Sequence, residues 1–292
     1  MSKMQNQKCC KYKLVIVSVT YKSNIIELKE FVNSFFKYND LGNEAKLIIV
    51  DNSPADYRDI ELLINQYKNV SYVSSPENLG FGAANNKGFD LYESEYVLFV
   101  NNDVEFTEPL FQKLIKIHES DERIGCIGIH QTGGAPSYFR KMTAPSNIND
   151  NIFNDQYHFI SGAFMFFKSR VFVKCGKFDS NIFMYLEEFD ISNRLLINGF
   201  ITLYCYQLSF CHKVGNRKIL NIERAKIGAA SFCYICKKYN LDPKYYSKGI
   251  MKRLRLLFLY HLFSFRLKEA AKVWRVYYIR KQLIYDEFNI KI

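Results

Sequence analysis

The stretch YVLFVNNDVEF, residues 96–106, joins an apolar segment to a polar tip. Its first five residues are apolar or aromatic, which predicts a buried strand. Three side chains that carry oxygen atoms follow at once, namely Asn101, Asn102 and Asp103. A turn is one interpretation, because Asn and Asp are frequent in turns. A ligand site is the other, and it requires further polar residues at the same edge of the sheet.

The segment 13–106 as a whole alternates between strand and helix patterns. Apolar runs at 14–19, 46–50, 69–73 and 96–100 predict strands, and the segments between them have helical spacing. This alternation, with its short connections, predicts an α/β fold in which a mostly parallel central sheet is flanked by helices. In such sheets, ligands bind beyond the carboxyl ends of the strands.

Polar residues follow three of the four predicted strands. They are Thr20 and Tyr21, then Asp51, Asn52 and Ser53, and finally Asn101, Asn102 and Asp103. Each group alone is typical of a turn or a helix cap. Because the strands are predicted to be parallel, all three groups should converge at one edge of the sheet, which favours a ligand site there.

The composition predicts one large core with an appendage. The chain has 292 residues, of which 48% are hydrophobic, and a net charge of +11. The segment 244–281 holds eleven basic residues against one acidic residue, Glu269, and therefore +10 of that charge. We divide the chain into an N-terminal tail (1–11), an α/β domain (12–220) and a helical, basic C-terminal region (221–292).

The eight cysteines are predicted to be reduced thiols, most of them in the core. The N-terminal sequence MSKMQNQKCCKYK is polar, so we expect no signal peptide and a reducing, cytoplasmic compartment. Cys233 and Cys236 have the spacing of half a zinc site, but a second pair is missing, which argues against zinc. No segment has the ~20 apolar residues that a membrane-spanning helix needs.

Gly80 and Gly82, in NLGFGAANNKGF, have the spacing of the first part of a dinucleotide-binding motif. Asn85 stands where that motif has its third glycine, and the stretch follows the third predicted strand rather than the first. These departures argue against a nicotinamide-dependent dehydrogenase.

Seven short blocks occur in order along the chain, over roughly residues 12–216. They are VSVTY, LIIVDNS, NLGFGAANNKG, FVNND, ISGAFMFFKSRVF, GKFDSNIFMYLEEFDISNR and CHKVGNR. In order and spacing, this set resembles the family 2 glycosyltransferases, and most of all their bacterial rhamnosyltransferase-like branch. The resemblance implies a GT-A fold. It also implies transfer of a sugar, with inversion, from a nucleotide-diphospho-sugar to an acceptor hydroxyl.

By this resemblance, Asn101, Asn102 and Asp103 take the place of the family's D-x-D motif, which holds Mg²⁺ or Mn²⁺ against the diphosphate. Such ions prefer oxygen ligands, commonly one or two carboxylates together with substrate phosphates. The first Asp of the motif is replaced by Asn101. We therefore expect Asp103 to be the direct ligand, with Asn101 and Asn102 nearer the ribose or just outside the ligand set. His212 matches a histidine that often completes the metal site, and a structural hydrogen bond is the alternative.

The resemblance also implies residues that bind the nucleotide-sugar. Asp51 should accept a hydrogen bond from the base, helped by Thr20 and Tyr21, and Asn86 should face the nucleotide-sugar. The branch implies dTDP-rhamnose as the donor. UDP-linked hexoses and N-acetylhexosamines are alternatives, because the discriminating contacts are expected in loops such as the irregular segment 131–156.

Three carboxylates at the start of a predicted helix are candidates for the general base, which takes the proton of the acceptor hydroxyl. The family pattern Glu-Asp-x-Asp favours its first Asp, a position that Glu188 holds here, and Glu187 and Asp190 are the alternatives. Asp190 is also placed to pair with Arg194 one turn later. A structural alternative is that these acids complement the dipole of the helix.

The segment 244–281 mixes Lys and Arg with apolar and aromatic residues. This pattern predicts peripheral attachment to the inner face of the cell membrane, where cations meet anionic lipid and where lipid-linked glycan acceptors are found. A solvated helical cap is the alternative, and nucleic-acid binding fits less well. Because Asn101 and Glu188 depart from the family pattern, a catalytically weak scaffold subunit that binds sugar nucleotides is a second hypothesis.

Overall fold

The described part of the chain forms two compact units. A computed structural model describes residues 11–54, 59–133, 138–139, 159–213 and 221–289. The first unit contains all the described strands and six of the described helices, and the second contains residues 182–186 and three C-terminal helices. The predicted boundary after residue 220 adjoins 214–220, which lie outside the described residues, so the predicted division into domains stays a prediction.

The ten described strands fall into two sheets. They are β1 (Lys11–Thr20), β2 (Ala45–Asp51), β3 (Val70–Ser74), β4 (Glu93–Val100), β5 (Val104–Phe106), β6 (Ile124–Thr132), β7 (Tyr138–Phe139), β8 (Phe159–Ile160), β9 (Phe164–Lys168) and β10 (Ile201–His212). Strands β7 and β8 pair with each other, and the other eight form one sheet in the order β3-β2-β1-β4-β9-β6-β10-β5.

The large sheet is mostly parallel, which confirms the α/β prediction. Strand β1 is parallel to β2 and β4, β2 is parallel to β3, and β6 is parallel to β10. Strand β9 runs antiparallel between β4 and β6, and β5 runs antiparallel to β10. These reversals were not predicted, because an entirely apolar run such as FMFFK gives no sign of its direction.

Six helices accompany the sheet in the first unit. They are α1 (Ile25–Tyr38), α2 (Asp59–Ile64), α3 (Phe81–Phe89), α4 (Phe111–Glu119), α5 (Ser169–Lys174) and α6 (Glu187–Ile197). Helix α3 packs closely on the sheet, because a Cβ atom at Gly88 would lie 2.5 Å from Val17 Cγ1 and 2.8 Å from Val50 Cγ2. No larger residue fits at position 88 without displacing β1 or β2.

Both faces of the large sheet are covered by apolar side chains. Along β1, Leu14 and Ile16 belong to one buried cluster and Val15 and Val17 to another. This division follows from the period of two in a strand, which points successive side chains to opposite faces. Strands buried on both faces read as continuous apolar runs, which is why β1, β2 and β4 were predictable from the sequence.

The second unit is helical, as predicted for the C-terminal region. It contains α7 (Ile222–Lys238), α8 (Pro243–Phe263) and α9 (Leu267–Glu287). Helix α8 begins favourably, because the Asp242 carboxylate accepts a hydrogen bond from the Lys244 main-chain N–H at 2.9 Å and Pro243 occupies the first helical position. No helix in the described ranges is both long enough and apolar enough to cross a membrane.

Cys233 and Cys236 are buried on α7. Burial raises the pKa of Cys233 to about 11 and that of Cys236 to about 12, so both are thiols at neutral pH. Metal ligation and nucleophilic chemistry use thiolates, which makes both side chains core residues rather than reactive ones.

Candidate active site

The carboxyl ends of β1 and β2 place their polar residues side by side. Thr20 and Asp51 are register partners in the parallel pair, each at the last position of its strand. The main-chain N–H of Asn52 donates to the Thr20 carbonyl oxygen at 2.9 Å. The sheet therefore brings together two of the three predicted polar groups at this edge.

Asp51 is a buried carboxylate with three hydrogen-bond donors. Thr20 Oγ1 and the main-chain N–H of Ser53 each donate to Asp51 Oδ1 at 2.9 Å, and Tyr72 Oη donates to Oδ2 at 3.0 Å. Asp51 is 2% exposed. A carboxylate has about four acceptor sites, so roughly one remains for a ligand. The fold itself thus fixes the Asp51 side chain as a hydrogen-bond acceptor.

Tyr72, on β3, was not among the predicted site residues. Its burial, and next the charge of Asp51, raise its pKa far above the usual range, so it stays a neutral donor. In NVSYV the tyrosine reads as an ordinary strand aromatic, and only the pairing of β2 with β3 brings it to Asp51. The sequence offers no local signal for this contact.

Asn52 connects the end of β2 to the start of α3. Its side-chain amide donates to the Gly80 carbonyl oxygen at 3.0 Å. Gly80 has a φ of +79°, a left-handed conformation that favours glycine, and it directly precedes α3. Asn52 Oδ1 is buried and has no hydrogen-bond partner among the described residues. Tyr21, in contrast, is 48% exposed at the same edge.

The Asn86 side chain is engaged with main-chain atoms of Phe178. Its Nδ2 donates to the Phe178 carbonyl oxygen at 2.8 Å, and its Oδ1 accepts from the Phe178 N–H at 3.1 Å. These bonds tie α3 to the segment after α5. The expected contact between Asn86 and a nucleotide-sugar stays a prediction, and that contact would have to share or replace one of these bonds.

Residues 101–103 form the connection between β4 and β5, at the same edge of the sheet. The Asn101 N–H donates to the Ala163 carbonyl oxygen at 3.2 Å, and Asn102 Nδ2 donates to Ser23 Oγ. Ser23 follows β1, so the polar tip reaches the residues that follow a neighbouring strand.

Asp103 and His212 are brought together although they lie 109 residues apart in the chain. Strand β5 pairs with β10 so that Val104 faces His212, which places the preceding Asp103 beside the imidazole. Asp103 Oδ1 and His212 Nε2 are hydrogen-bonded at 2.9 Å, which is the structural alternative for His212, and both side chains are largely buried. The structure therefore brings the two predicted metal ligands into direct contact.

This pair fits a divalent ion that is completed by substrate. Two ligand atoms at about 2.1 Å from one ion, set at a right angle, lie roughly 3 Å apart, which agrees with the 2.9 Å between Asp103 Oδ1 and His212 Nε2. The described residues contain no cluster of three His, Cys, Asp or Glu side chains able to hold a metal. Asp103 and His212 would supply two ligands, and phosphate oxygens and water would complete the set.

The three predicted acidic residues lie on the first turn of α6 and differ in environment. Asp190 is fully buried and paired with Arg194, with Oδ2 2.6 Å from Nη2, as its spacing predicted. Arg194 also donates to the Cys175 carbonyl oxygen. Asp190 therefore has a structural role in holding α6 in place.

Glu187 and Glu188 differ in exposure. Glu187 is 5% exposed, and its Oε2 has no hydrogen-bond partner in the described part of the chain. Burial, and next the charge of Glu188, raise the pKa of Glu187 well above its usual range, which favours the neutral acid. Glu188 is half-buried, which makes it the most accessible of the three carboxyl groups. Two residues in the left-handed region, Tyr185 and Leu186, directly precede this turn.

Comparisons with known proteins agree with this architecture. The model of the glycosyl transferase family 2 matches residues 15–176, which is more than half of the chain. No curated protein matches the sequence.

Similar solved structures include three proteins of low sequence identity. The mannosyltransferase PcManGT from Pyrobaculum calidifontis, in complex with GDP-Man and Mn²⁺, is 14% identical with a TM-score of 0.58, over 91% of this chain and 74% of that chain. GalNAc-T7 with UDP, GalNAc and Mn²⁺ is 13% identical with a TM-score of 0.56, over 74% and 48%. TarS from S. aureus is 18% identical with a TM-score of 0.53, over 75% and 39%. These similarities confirm the predicted GT-A fold.

Proposed function

The chain belongs to the glycosyl transferase family 2, and from this premise we propose that it transfers a sugar with inversion from a nucleotide-diphospho-sugar to an acceptor hydroxyl. The observation that carries the proposal is that the Asp103–His212 pair and the fixed carboxylate of Asp51 lie at the carboxyl edge of one sheet. A nucleotide and its diphosphate need these two kinds of contact, an acceptor for the base and charge compensation for the phosphates.

The nucleotide side of the site is assigned to residues that follow β1, β2 and β4. Asp51 accepts from an N–H group of the base, and Thr20 holds its carboxylate in place. Tyr21 is exposed at the same edge and contacts the nucleotide. Asn101 and Asn102 lie close to the ribose and diphosphate.

Asp103 and His212 would hold Mg²⁺ or Mn²⁺. The ion supplies positive charge that neutralises the departing nucleoside diphosphate. A set of one carboxylate and one imidazole binds such an ion weakly by itself. We therefore expect the ion to bind together with the diphosphate rather than before it.

Glu188 is assigned as the general base. The acceptor oxygen forms a bond to the anomeric carbon while the bond from that carbon to the phosphate oxygen breaks. The electron pair leaves with the diphosphate, and the acceptor proton moves to Glu188. Glu187 and Asp190 are the alternative bases, of which Glu187 has a pKa raised by burial and Asp190 is paired with Arg194.

The finer assignments follow the predicted branch. We propose dTDP-rhamnose as the donor sugar nucleotide and a lipid-linked glycan of bacterial surface polysaccharide synthesis as the acceptor. UDP-hexoses and UDP-N-acetylhexosamines are the alternative donors. The GT-A domain spans 12–220, and the basic region 221–292 holds the enzyme on the inner face of the cell membrane through 244–281.

A catalytically weak subunit that binds sugar nucleotides is the second candidate. Asn101 and Glu188 favour it, because each replaces an Asp of the family pattern. Turnover separates this candidate from an active transferase.

Replacing Glu188 with Gln tests the catalytic assignment. We expect Glu188→Gln to abolish transfer, because the amide cannot accept the acceptor proton, and to leave the affinity for the nucleotide-sugar unchanged. Sugar transfer and donor binding are measured on the same preparations, with Glu61→Gln as a matched control on the exposed side of α2. Full transfer by Glu188→Gln would contradict the assignment. Donor binding without turnover in the unaltered chain would favour the scaffold candidate.

A further inference from the structure

The distal end of the hairpin formed by α8 and α9 exposes a large apolar surface. We call residues 256–267 the hairpin tip. Seven of its residues are large, apolar or aromatic, and exposed: Leu256, Leu259, Tyr260, Leu262, Phe263, Phe265 and Leu267. Phe263 is 77% exposed and Phe265 is 90% exposed. Single exposed apolar residues are common on proteins, but a contiguous group of this kind marks an interaction surface.

The apolar residues of α8 lie on two different faces. Leu254 is buried in a cluster with residues of α9, including Val273 and Tyr277. Leu256, Leu259, Tyr260 and Phe263 have the spacing i, i+3, i+4 and i+7, so they share another face. A helix that packs on one neighbour needs one apolar face. The second face of α8 is therefore not explained by packing within the hairpin.

Phe265 occupies an unfavourable backbone position for its residue type. It has a φ of +55°, in the left-handed region where glycine or asparagine is favoured. Its N–H donates to the Leu262 carbonyl oxygen at 3.1 Å, and the Arg266 N–H donates to the His261 carbonyl oxygen at 2.9 Å, which ends α8 in the manner of a Schellman motif. A phenylalanine that is 90% exposed contributes little to this turn, so folding alone does not account for it.

The charges that flank the hairpin tip are mostly positive, and the nearest acidic residue in the chain, Glu269, pairs with Lys272 at 3.0 Å. The tip contains Arg266 and no acidic residue. Lys252 and Arg253 precede it, Lys268 follows it, and all three are exposed. From Leu256 to Phe263 the helix rises about 10 Å, which is comparable to the depth at which apolar side chains sit in a membrane interface. Apolar residues bracketed by cations complement an anionic lipid surface.

We propose that the hairpin tip inserts its apolar side chains into an anionic lipid surface, with the flanking lysines and arginines at the level of the headgroups. This inference rests on the proposed function, because it assigns the membrane contact of the segment 244–281 to particular side chains. It also distinguishes attachment by inserted apolar side chains from attachment by charge alone. Attachment by charge alone is lost at high salt, whereas attachment by inserted side chains partly resists it.

Trp274 provides a natural reporter for this contact. It is the single tryptophan of the chain, it is 47% exposed on α9, and its ring lies 4.9 Å from that of Phe258. It is seven residues beyond Leu267, about 10 Å along the helix from the tip. We expect its emission to shift to shorter wavelength when the full chain meets vesicles of phosphatidylglycerol, and to stay unchanged with phosphatidylcholine.

A double variant tests the insertion itself. Phe263→Gln combined with Phe265→Asn removes two exposed aromatic side chains, and asparagine tolerates the left-handed backbone. Sedimentation with phosphatidylglycerol vesicles is measured at about 0.1 M and about 1 M NaCl, where the Debye length is about 10 Å and about 3 Å. We expect at least about tenfold weaker binding by the double variant at both salt concentrations.

Two controls make the result specific. Leu62→Gln removes an apolar residue that is 65% exposed on α2, and it should bind as the parent does. Lys252→Gln with Lys268→Gln should weaken binding at low salt and have little effect at high salt. Binding by the double variant that equals that of the parent would overturn the proposal. Failure of the unaltered chain to bind either type of vesicle would also overturn it. The same holds if the unaltered chain dimerises through Phe263 and Phe265 instead of binding vesicles.

The outcome is separable from that of the proposed transferase activity. Transfer to a soluble acceptor is measured on the same preparations. If the parent transfers sugar but does not bind vesicles, the membrane inference is wrong and the transferase proposal stands. If the parent binds vesicles through the hairpin tip but transfers no sugar from any donor, the transferase proposal is wrong and the membrane inference stands.

Discussion

Two carboxylates at the same edge of the sheet, those of Asp51 and Asp103, differ in the hydrogen bonds that hold them in place. Asp51 receives three hydrogen bonds from Thr20, Ser53 and Tyr72, which hold it in place before any ligand binds. Asp103 faces His212 at 2.9 Å, and the Nδ1 atom of that imidazole is buried with no hydrogen-bond partner among the described residues. On the proposed assignment, the nucleotide side of the site is preformed, whereas the diphosphate side would be completed by the ion and the substrate.

Among the variants that test this comparison, we expect the largest loss of sugar transfer from a change at Asp103. Asp103→Asn removes the carboxylate of the two-residue ligand set, so we expect transfer to fall about a hundredfold or more. Stability should change by no more than about 1 kcal/mol, because the amide can still bond to His212. Steady-state transfer and thermal unfolding of the same variant are the measurements. A loss of activity that simply follows unfolding would contradict a role in binding the ion.

A second effect concerns Glu187, the buried acid on the first turn of α6. The pKa of Glu187 is raised in the folded state, so its contribution to stability is present below about pH 4.5 and is lost as the pH rises through the folded pKa. Glu187→Gln mimics the protonated acid. We therefore expect it to melt higher than the parent at neutral pH, with the difference shrinking as the pH falls towards 4.5.

Melting temperatures across this pH range check the prediction for Glu187. Glu93→Gln, at an exposed position at the start of β4, is a matched control and should show no such trend. A Glu187→Gln variant that is less stable than the parent at every pH would show that the carboxylate is ionised and paired in the folded protein.

The smallest effect is expected on the preformed side. Tyr72→Phe removes one of three hydrogen bonds to Asp51, which should cost about 1–2 kcal/mol of stability and weaken nucleotide binding. Tyr67→Phe is a matched control, because it removes an exposed hydrogen bond to Asn33 and should cost less. Equal effects of the two variants on unfolding and on nucleotide binding would mean that Asp51 does not need its third donor.

The sequence predicted the parts of this site that depend on the ends of strands. Apolar runs located β1, β2 and β4, and the polar residues after them lie at one edge of the sheet, as predicted. The pairing of Asp190 with Arg194 was also predictable, because it depends on helical spacing alone.

Contacts made across the sheet were not predictable. Tyr72 reaches Asp51 from a neighbouring strand, and the Asn86 amide bonds to Phe178, which is 92 residues away in the chain. Neither contact has a local pattern, because both follow from which elements become neighbours. The association of Asp103 with His212 was expected only from the family resemblance, since it needs the antiparallel pairing of β5 with β10.

The most direct test of the central claim is whether a nucleoside diphosphate and a divalent ion bind the site together. The melting temperature of the full chain is measured with dTDP, UDP or GDP, and with their sugars, each in Mn²⁺ or in EDTA. We predict that one nucleotide raises the melting temperature by about 5 °C at saturating concentration, only when Mn²⁺ is present, and that Asp103→Asn loses this rise. An equal rise in EDTA, or a full rise with Asp103→Asn, would contradict an ion held between Asp103, His212 and the diphosphate.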